Sequence, residues 1–478
     1  MTATHPSKTF TRVNLPLRIF LSLLLTYLLP ILLDRSGSPW LAFSYTKDRA
    51  IFEYLGFAGT CCLLVNFAIE WKRRTYETVP QKLFLIAISL FAAYQLLFFS
   101  ELSLIGNDYL AYQESVRAIL AHQSPYVSPY TALHRYIYPP LLAQAMTFAY
   151  RLIRWIWFHG IGQALGEREI YSLLFYTYQF VQLCLVLLSF TLAYRLARRL
   201  RLEPIHAVAL VSGLFLFNLP LYRNFSLNQV NLWILASLLL AMLWIEQQPY
   251  FAGIVIAVGT HLKLYPVIQL LPWLLRKKWR ALLAFGAAFL GILVIEIASG
   301  RGLHLWLDFF QYLGRVEKGY ALRNNSLNSL AYNLTRLAFW GQSERIAVIS
   351  TILTSVLTIG LGGWVLLRMF WRSRQAHLDP APRLLGMMMD GIFLMFFISP
   401  SVWDHHLVAA IPLVIWAFAR FPRQHQVMID LAAVCIFLFP TFDVFFFSYF
   451  RLFGLILLLY STDPSHEMAS DWEPSSQS

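Results

Sequence analysis

The stretch YFAGIVIAVGTHLKLYPVIQLLPWLL (Tyr250–Leu275) decides how this chain is folded. It is apolar along most of its length and long enough to cross the roughly 30 Å hydrocarbon core of a bilayer. However, His261 and Lys263 lie at its centre, and the basic cluster Arg276–Lys278 follows it directly. Basic loops favour the cytoplasmic side of the membrane, and a single crossing would place this cluster outside. We therefore predict two short helices that enter from the cytoplasm and turn back, with Lys263 near the apex.

The composition indicates an all-α polytopic membrane protein. The 478 residues are 58% hydrophobic and 13% charged, whereas a soluble domain is nearer half apolar and a quarter charged. The net charge of +13 suggests nucleic-acid binding at first. Lys and Arg collect in short loops between apolar runs, however, which is the pattern of the positive-inside rule. We therefore expect a lipid bilayer, and no nucleic acid, as partner.

The basic clusters orient the chain in the membrane. Five of them are placed in the cytoplasm: Lys72–Arg74, Arg195–Arg201, Arg276–Arg280, Arg368–Arg374 and Arg420–Arg423. About twelve crossings follow, approximately at 17–33, 50–70, 82–100, 170–194, 205–221, 230–246, 279–299, 345–369, 384–399, 406–419, 427–441 and 445–460. The first is interpreted as a retained helix, with a cleaved signal peptide as the alternative.

This orientation predicts one transmembrane domain over residues 1–460, followed by a polar, disordered cytoplasmic tail at 461–478. Residues 101–169 form a large outer loop. Within it, Leu141–Phe158 contains two Arg and two Trp, which favour the membrane interface. We predict that this segment lies on the outer surface instead of crossing the bilayer.

Two charged residues of the outer half are the leading site candidates. Asp108 follows the third apolar run, and a carboxylate there can act as general base toward a substrate hydroxyl; capping a helix is its structural alternative. Lys263 is costly at membrane depth, which by default suggests function. A lipid phosphate is the obvious anion for it, and snorkelling toward headgroups is the alternative.

Further polar and aromatic residues fall on the same side of the predicted bundle. His405, His406 and Arg323 can donate hydrogen bonds or charge to phosphate. Aromatic rings and amides suit sugars, which gives the substrate-binding candidates Tyr126, Tyr138, Asn228, Gln229, Asn325 and Trp403. Asn228 has helix capping as its alternative, and Trp403 has interface anchoring.

The sequence disfavours soluble nucleotide donors and bound metal. It contains no phosphate-binding glycine loop, no dinucleotide fingerprint and no paired carboxylates for a nucleotide-sugar metal. Adjacent histidines on a helix are poorly placed to ligate one ion together. We therefore expect no metal and no other cofactor.

The order of these motifs resembles a known family. An acidic residue after an early membrane helix is followed by SPY, YPP, NQVN, AGIVIAVGTHLKLYPVIQLLPWLLRKKWR, NNSLNSL and WDHH, over roughly residues 95–420. This is similar to the polyprenol-phosphate-mannose-dependent mannosyltransferases of glycosyltransferase family 87, within the GT-C superfamily. In this chain two apolar helices precede the one that leads to Asp108, where the family pattern usually has one, and Asp108 has no adjacent acidic partner.

The resemblance implies a GT-C-like bundle and an inverting transfer of a sugar, mannose by family, from a polyprenyl phosphate to an acceptor hydroxyl. The acceptor is a glycolipid or glycan, and the site faces the outside of the cytoplasmic membrane. Asp108 matches the catalytic acidic position, Lys263 the lysine after the "AG" helix, and His405 or His406 the histidine after the tryptophan. A transporter or flippase of lipid-linked sugars and a membrane ligase or polymerase remain as alternatives.

Overall fold

The computed structural model describes residues 107–131, 134–161, 166–299, 303–315, 321–322, 324–339, 342–375, 379–438, 445 and 447–467. Within these residues the protein is all-helical, without strands. The α-helices are α1 (Asn107–Leu120), α2 (Pro140–Ile161), α3 (Glu167–Arg199), α4 (Pro204–Leu216), α5 (Leu219–Ser226), α6 (Asn231–Trp244), α7 (Pro249–Leu262), α8 (Leu270–Leu275), α9 (Trp279–Ser299), α10 (His304–Arg315), α11 (Leu327–Ala338), α12 (Ser343–Arg374), α13 (Pro380–Ile398), α14 (Ile411–Arg420), α15 (Gln426–Ala433) and α16 (Phe450–Ser461).

Four of these helices are long and apolar enough to cross a membrane. They are α3, α9, α12 and α13; α4 and α5 meet the same criterion as a pair bent by 47°. Predicted crossings such as 230–246 form shorter helices, since the 14 residues of α6 rise only about 21 Å. The described part of the chain therefore has four or five such spans, and the count of about twelve is not confirmed. The predicted crossings 17–33, 50–70 and 82–100 lie outside the described residues.

The segment Tyr250–Leu275 is broken where the sequence predicts. Helix α7 ends at Leu262, and Lys263 has an extended backbone with φ −159° and ψ 130°. A 3-10 turn at Tyr265–Gln269 then leads into α8, with Pro266 in the first turn, where its missing N–H costs nothing. Neither helix is long enough to cross the bilayer alone. The break between them lies inside the helical bundle, where Lys263 contacts Asn231 and His406 of other elements.

A glycine allows α7 to approach α9 closely. A Cβ at Gly253 would lie 2.3 Å from the carbonyl oxygen of Ala281 and 2.8 Å from the backbone nitrogen of Phe285. The neighbouring atoms belong to the α9 backbone, which cannot move aside as a flexible side chain can. Gly253 therefore allows the close packing of α7, the first half of the broken segment, against α9, the helix that follows the segment.

A buried cluster of charges joins α12 to α13. Arg368 donates from Nε to Asp390 Oδ1 over 2.8 Å, and Arg372 donates from Nε to Asp390 Oδ2 over 3.0 Å. All three side chains are at most 1% exposed. A Cβ at residue 386 would lie 2.7 Å from the Arg372 side chain, so Gly386 leaves room for that guanidinium.

The same cluster holds the start of the C-terminal tail. Glu467 is buried and pairs with Arg372 and with Arg420, whose Nε lies 3.4 Å from Glu467 Oε1. Residues 461–467 include the end of α16 and a 3-10 turn at Pro464–His466, and Glu467 contacts buried arginines of distant helices that local composition does not reveal. The disorder of the tail 461–478 stays a prediction. Residues 468–478 lie outside the described residues.

Replacing Asp390 with Ala should destabilise the protein strongly. It would leave Arg368 and Arg372 buried without their shared carboxylate, which typically costs about 3–5 kcal/mol of unfolding free energy. Thermal or denaturant unfolding in detergent measures the change. Asp430→Ala, at an exposed position of α15, is the matched control, and equal stability of the two variants would contradict the assignment.

Candidate active site

Asp108 lies in the first turn of α1, which faces the break after α7. The side chains of Gln229 and Tyr138 lie close enough to favour its ionised form, as does the positive charge of Lys263. Burial raises the pKa of Asp108 above its usual value near 3.8, while Gln229 and Lys263 oppose this rise. A partly buried carboxylate with a raised pKa has the character expected of a general base.

Tyr138 lies between Asp108 and Lys263. Its hydroxyl donates to Gln229 Oε1 over 2.7 Å, and Lys263 Nζ lies 5.9 Å from the centre of its ring. The YPP turn fixes its place, because Pro139 and Pro140 restrict the backbone and Pro140 begins α2. The Tyr136 hydroxyl also donates to the Pro139 carbonyl over 2.8 Å.

Lys263 is held by two side chains that are distant in sequence and by one neighbouring aromatic ring. Nζ donates to Asn231 Oδ1 over 2.9 Å and lies 2.8 Å from His406 Nε2. Since an ammonium group has no acceptor, His406 Nε2 accepts this bond when Lys263 is charged. The ring of Tyr265 lies below the ammonium at 5.3 Å. The arrangement places one cation beside an imidazole, an amide and an aromatic face.

The loop before the two histidines is fastened to the start of α11. Asn324 pairs with Trp403 through an isolated antiparallel bridge, and the Asn325 amide donates to Asp404 Oδ1 over 3.1 Å. Arg451 of α16 lies 3.5 Å from the same oxygen. These contacts set the position of the 3-10 turn Asp404–Ala410 and hence of His406.

Of the two histidines, His406 contacts Lys263. The His405 ring packs edge-on against His406, with the ring centres 4.6 Å apart and the planes at 82°. His405 is also buried, with 6% exposure. The structure therefore separates two residues that the sequence left equivalent, although their predicted role at a phosphate stays a prediction.

Tyr126 borders a cavity beside the group formed by Asp108, Tyr138 and Lys263. Its hydroxyl donates to the Tyr138 carbonyl over 2.7 Å, which links the cavity wall to the residue between Asp108 and Lys263. The cavity has a volume of about 250 Å³ and is lined by Pro125, Tyr126, Val127, Ser128, Thr131, Arg135, Tyr136 and Tyr312. Aromatic faces together with hydroxyls and a guanidinium suit a polar ring such as a sugar.

Asn228 shapes the turn before α6. It has φ 58°, a left-handed conformation that Asn tolerates better than most residues. Its side-chain amide donates to the Phe225 carbonyl over 2.8 Å, and its own carbonyl accepts from the Tyr178 hydroxyl over 2.7 Å. This turn aims Gln229 at Tyr138, so Asn228 supports the cluster; direct binding of substrate by Asn228 stays a prediction.

The remaining candidates are placed less centrally. Asn325 and Trp403 hold the histidine loop, as described above, and Arg323 lies outside the described residues. Sequence reasoning missed Asn231, Tyr265 and Arg451 as neighbours of the site. Arg451 had a signal, because a charge within the apolar run 445–460 needs a partner. Asn231 and Tyr265 lie within the quoted motifs NQVN and THLKLYP, but amides and tyrosines are common at helix starts and interfaces, so the sequence did not single them out.

No group of three or more His, Cys, Asp or Glu side chains suited to a metal ion occurs in the described part of the chain. Asp404 pairs with an arginine and an amide, and Asp108 with an amide, a hydroxyl and a nearby ammonium. Metal-independent chemistry stays a prediction of the sequence.

Comparison with known families identifies the protein family of this chain. Residues 136–400, more than half of the 478, match the model of glycosyltransferase family 87. The chain belongs to glycosyltransferase family 87. The matched segment contains Tyr138, Gln229, Asn231 and Lys263, whereas Asp108 and the two histidines lie on either side of it. The family predicted from the sequence motifs is thereby confirmed.

Two curated relatives are similar to this family 87 chain. Each is named polyprenol-phosphate-mannose-dependent alpha-(1-2)-phosphatidylinositol mannoside mannosyltransferase. The protein of Mycobacterium tuberculosis (strain ATCC 25618 / H37Rv) is 26% identical over 246 residues, which cover 50% of this chain and 53% of the relative. That of Mycolicibacterium smegmatis (strain ATCC 700084 / mc(2)155) is 27% identical over 221 residues, or 46% and 48%. The chain spans about half the length of the curated relatives it matches.

Proposed function

We propose that this chain is a membrane glycosyltransferase that moves a sugar, mannose by analogy with its relatives, from a polyprenyl phosphate to an acceptor hydroxyl. The meeting of Asp108 and Lys263 around Tyr138 and Gln229 carries this proposal. A base and a cation at one site are what a displacement at a sugar phosphate needs. Family membership supports the same chemistry and does not favour the transporter alternative.

The donor is inferred from the relatives and from the cation site. Both relatives are named for polyprenol-phosphate-mannose. In this chain Lys263, next to the His406 imidazole and the Asn231 amide, provides donors for a phosphate. Arg323 and His405 are assigned to the same anion, with the lipid tail lying between helices of the bundle.

The transfer is a single displacement. The acceptor oxygen attacks the anomeric carbon from the face opposite the phosphate, and its proton passes to Asp108. The bond between the anomeric carbon and the phosphate oxygen breaks, and its electron pair stays on the phosphate. Polyprenyl phosphate leaves with one additional negative charge, which Lys263 neutralises, and the sugar linkage is inverted. No residue forms a covalent intermediate.

The acceptor is assigned to the cavity beside Tyr126. Its aromatic walls and Arg135 suit a sugar headgroup, and Tyr138 connects this cavity to Asp108. A glycolipid acceptor agrees with the phosphatidylinositol mannoside in the names of the relatives. Asn228, Gln229, Asn325 and Trp403 complete the set of sugar-binding candidates.

The site is assigned to the outer face of the cytoplasmic membrane. The basic clusters between apolar runs are placed inside by charge, and this orientation puts Asp108, Lys263 and His406 on the opposite side. A donor and an acceptor that are both lipids are then presented from the same leaflet. Residues 1–460 act as one transmembrane domain in this proposal.

Replacing Asp108 with Asn should abolish transfer and leave donor binding largely intact, because the amide cannot accept the proton. Purified protein in detergent is incubated with radiolabelled polyprenyl-phosphate mannose and a glycolipid acceptor, and donor binding is measured separately. Wild-type turnover in micelles also excludes a need for a sealed bilayer. Glu114→Gln, on the same helix, is the matched control, and retained turnover in Asp108→Asn would remove Asp108 as the base.

The pH dependence should reveal the contact between Asp108 and Lys263. Because only the ionised carboxylate accepts a proton, the rate falls as pH drops through the pKa of Asp108, which burial raises above 3.8. Lys263 lowers that pKa, so Lys263→Met should move the acid limb of kcat/KM to higher pH in its residual activity. Lys278→Met serves as control. An unchanged or lowered limb in Lys263→Met would contradict the arrangement.

Metal removal should leave transfer unchanged. Activity after treatment with EDTA and dialysis is expected to stay within about twofold of the untreated enzyme, and added Mg²⁺ or Mn²⁺ should not raise it further. Loss of activity with EDTA, restored by a divalent cation, would show that a metal replaces or assists the cation assigned to Lys263.

A further inference from the structure

A second buried pair of titratable side chains lies close to Lys263 and is unused by the mechanism. Glu296 of α9 is 2% exposed and His261 of α7 is fully buried. His261 Nδ1 lies 2.9 Å from Glu296 Oε1, and His261 Nε2 lies 3.1 Å from the Phe289 carbonyl oxygen. The other carboxyl oxygen, Oε2, accepts from Trp306 Nε1 over 2.6 Å. Both ring nitrogens and both carboxyl oxygens are thus engaged.

The hydrogen bonds fix the orientation of the imidazole. A carbonyl oxygen only accepts, so Nε2 carries a proton and donates to Phe289. Nδ1 then either donates to an ionised Glu296 or accepts from a protonated one. In both cases the ring is held at two points, and the last turn of α7 cannot rotate without breaking at least one of these bonds.

We propose that Glu296 is a positioning residue for Lys263 and acts through His261. Lys263 is two residues beyond His261, at the end of α7, where its N–H still donates to the Gly259 carbonyl over 2.9 Å. The ammonium must reach both Asn231 and His406, which belong to other elements. The direction of the last turn therefore decides whether Lys263 meets the donor phosphate, and this inference rests on that proposed role.

Glu296 also connects Lys263 to the acceptor side. Its backbone carbonyl accepts from Gln144 Nε2 of α2 over 2.9 Å, and α2 begins two residues after Tyr138. Trp306 lies on α10, which contributes Tyr312 to the acceptor cavity. Glu296 of α9 thereby contacts three helices: α2, which follows Tyr138; α7, which ends before Lys263; and α10, which contributes Tyr312 to the cavity.

The test compares donor and acceptor kinetics in Glu296 variants. Glu296→Ala is expected to raise the donor KM about tenfold. The acceptor KM should rise much less, by about twofold, because only the bond to Trp306 of α10 is lost on that side. Glu296→Gln should retain most of the donor affinity, because its amide can donate to Nδ1 while its carbonyl accepts from Trp306. If Glu296→Ala does not fold, Trp306→Phe replaces it in the test. This variant keeps an aromatic ring and loses the indole N–H, and it should raise the donor KM about threefold.

The control acts on the same two helices at their other ends. Glu246, before α7, pairs with Lys278, before α9. Glu246→Gln should affect stability without changing the donor KM. A similar rise in donor KM in Glu246→Gln, or a Glu296→Gln variant as impaired as Glu296→Ala, would overturn the positioning role.

A double-mutant cycle separates this inference from the proposed function. If Glu296 acts through Lys263, then adding Glu296→Ala to Lys263→Ala changes the donor KM no further. If the two substitutions instead raise the donor KM by the product of their separate effects, the positioning role of Glu296 is overturned and the proposed function is not. A Lys263→Ala variant with unchanged donor KM would instead overturn the assignment of the donor phosphate.

Discussion

The contact that the rest of the site depends on is the one between Lys263 and its partners on other elements. A buried lysine is tolerated only with hydrogen-bond acceptors or opposite charge around it. Asn231 and His406 supply the acceptors, and Asp108 supplies the charge. Each of these partners comes from a different part of the chain. Lys263 therefore holds these parts of the site together, in addition to its proposed role at the donor phosphate.

The fold provides that contact through three interruptions of regular helix. The break after Leu262 places Lys263 between other helices, the YPP turn places Tyr138, and the turn that begins at Asp404 presents His406. Helices alone would bury apolar faces against one another. At each interruption, backbone groups and side chains instead become available inside the bundle, where an irregular segment is tolerated because protein surrounds it.

The sequence predicted much of this arrangement, and the reasons are physical. A lysine and a proline within an apolar run, followed by a basic cluster, predict a broken helix, and the break is at the predicted residues. Asp108 and Lys263 were predicted to share one side from charge in the loops alone. The number of spans was not predictable in the same way, because apolar windows do not reveal where a helix ends.

Side-chain partners were the part that one sequence could not provide. Nothing local indicates that Glu467 is buried with Arg372 and Arg420, or that His261 and Glu296, 35 residues apart, share a hydrogen bond. Likewise, His405 and His406 are equivalent in sequence, and only their three-dimensional placement shows which one lies beside the ammonium. Such pairs depend on how helices are arranged in space.

A cryo-EM map of the Asp108→Asn protein with a non-hydrolysable phosphonate analogue of polyprenyl-phosphate mannose would show whether Lys263 binds the donor phosphate opposite residue 108. We expect an anionic oxygen within hydrogen-bond reach of Lys263 Nζ and the anomeric carbon facing residue 108. Density for the phosphonate at another cationic group, with Lys263 still bonded only to Asn231 and His406, would contradict it.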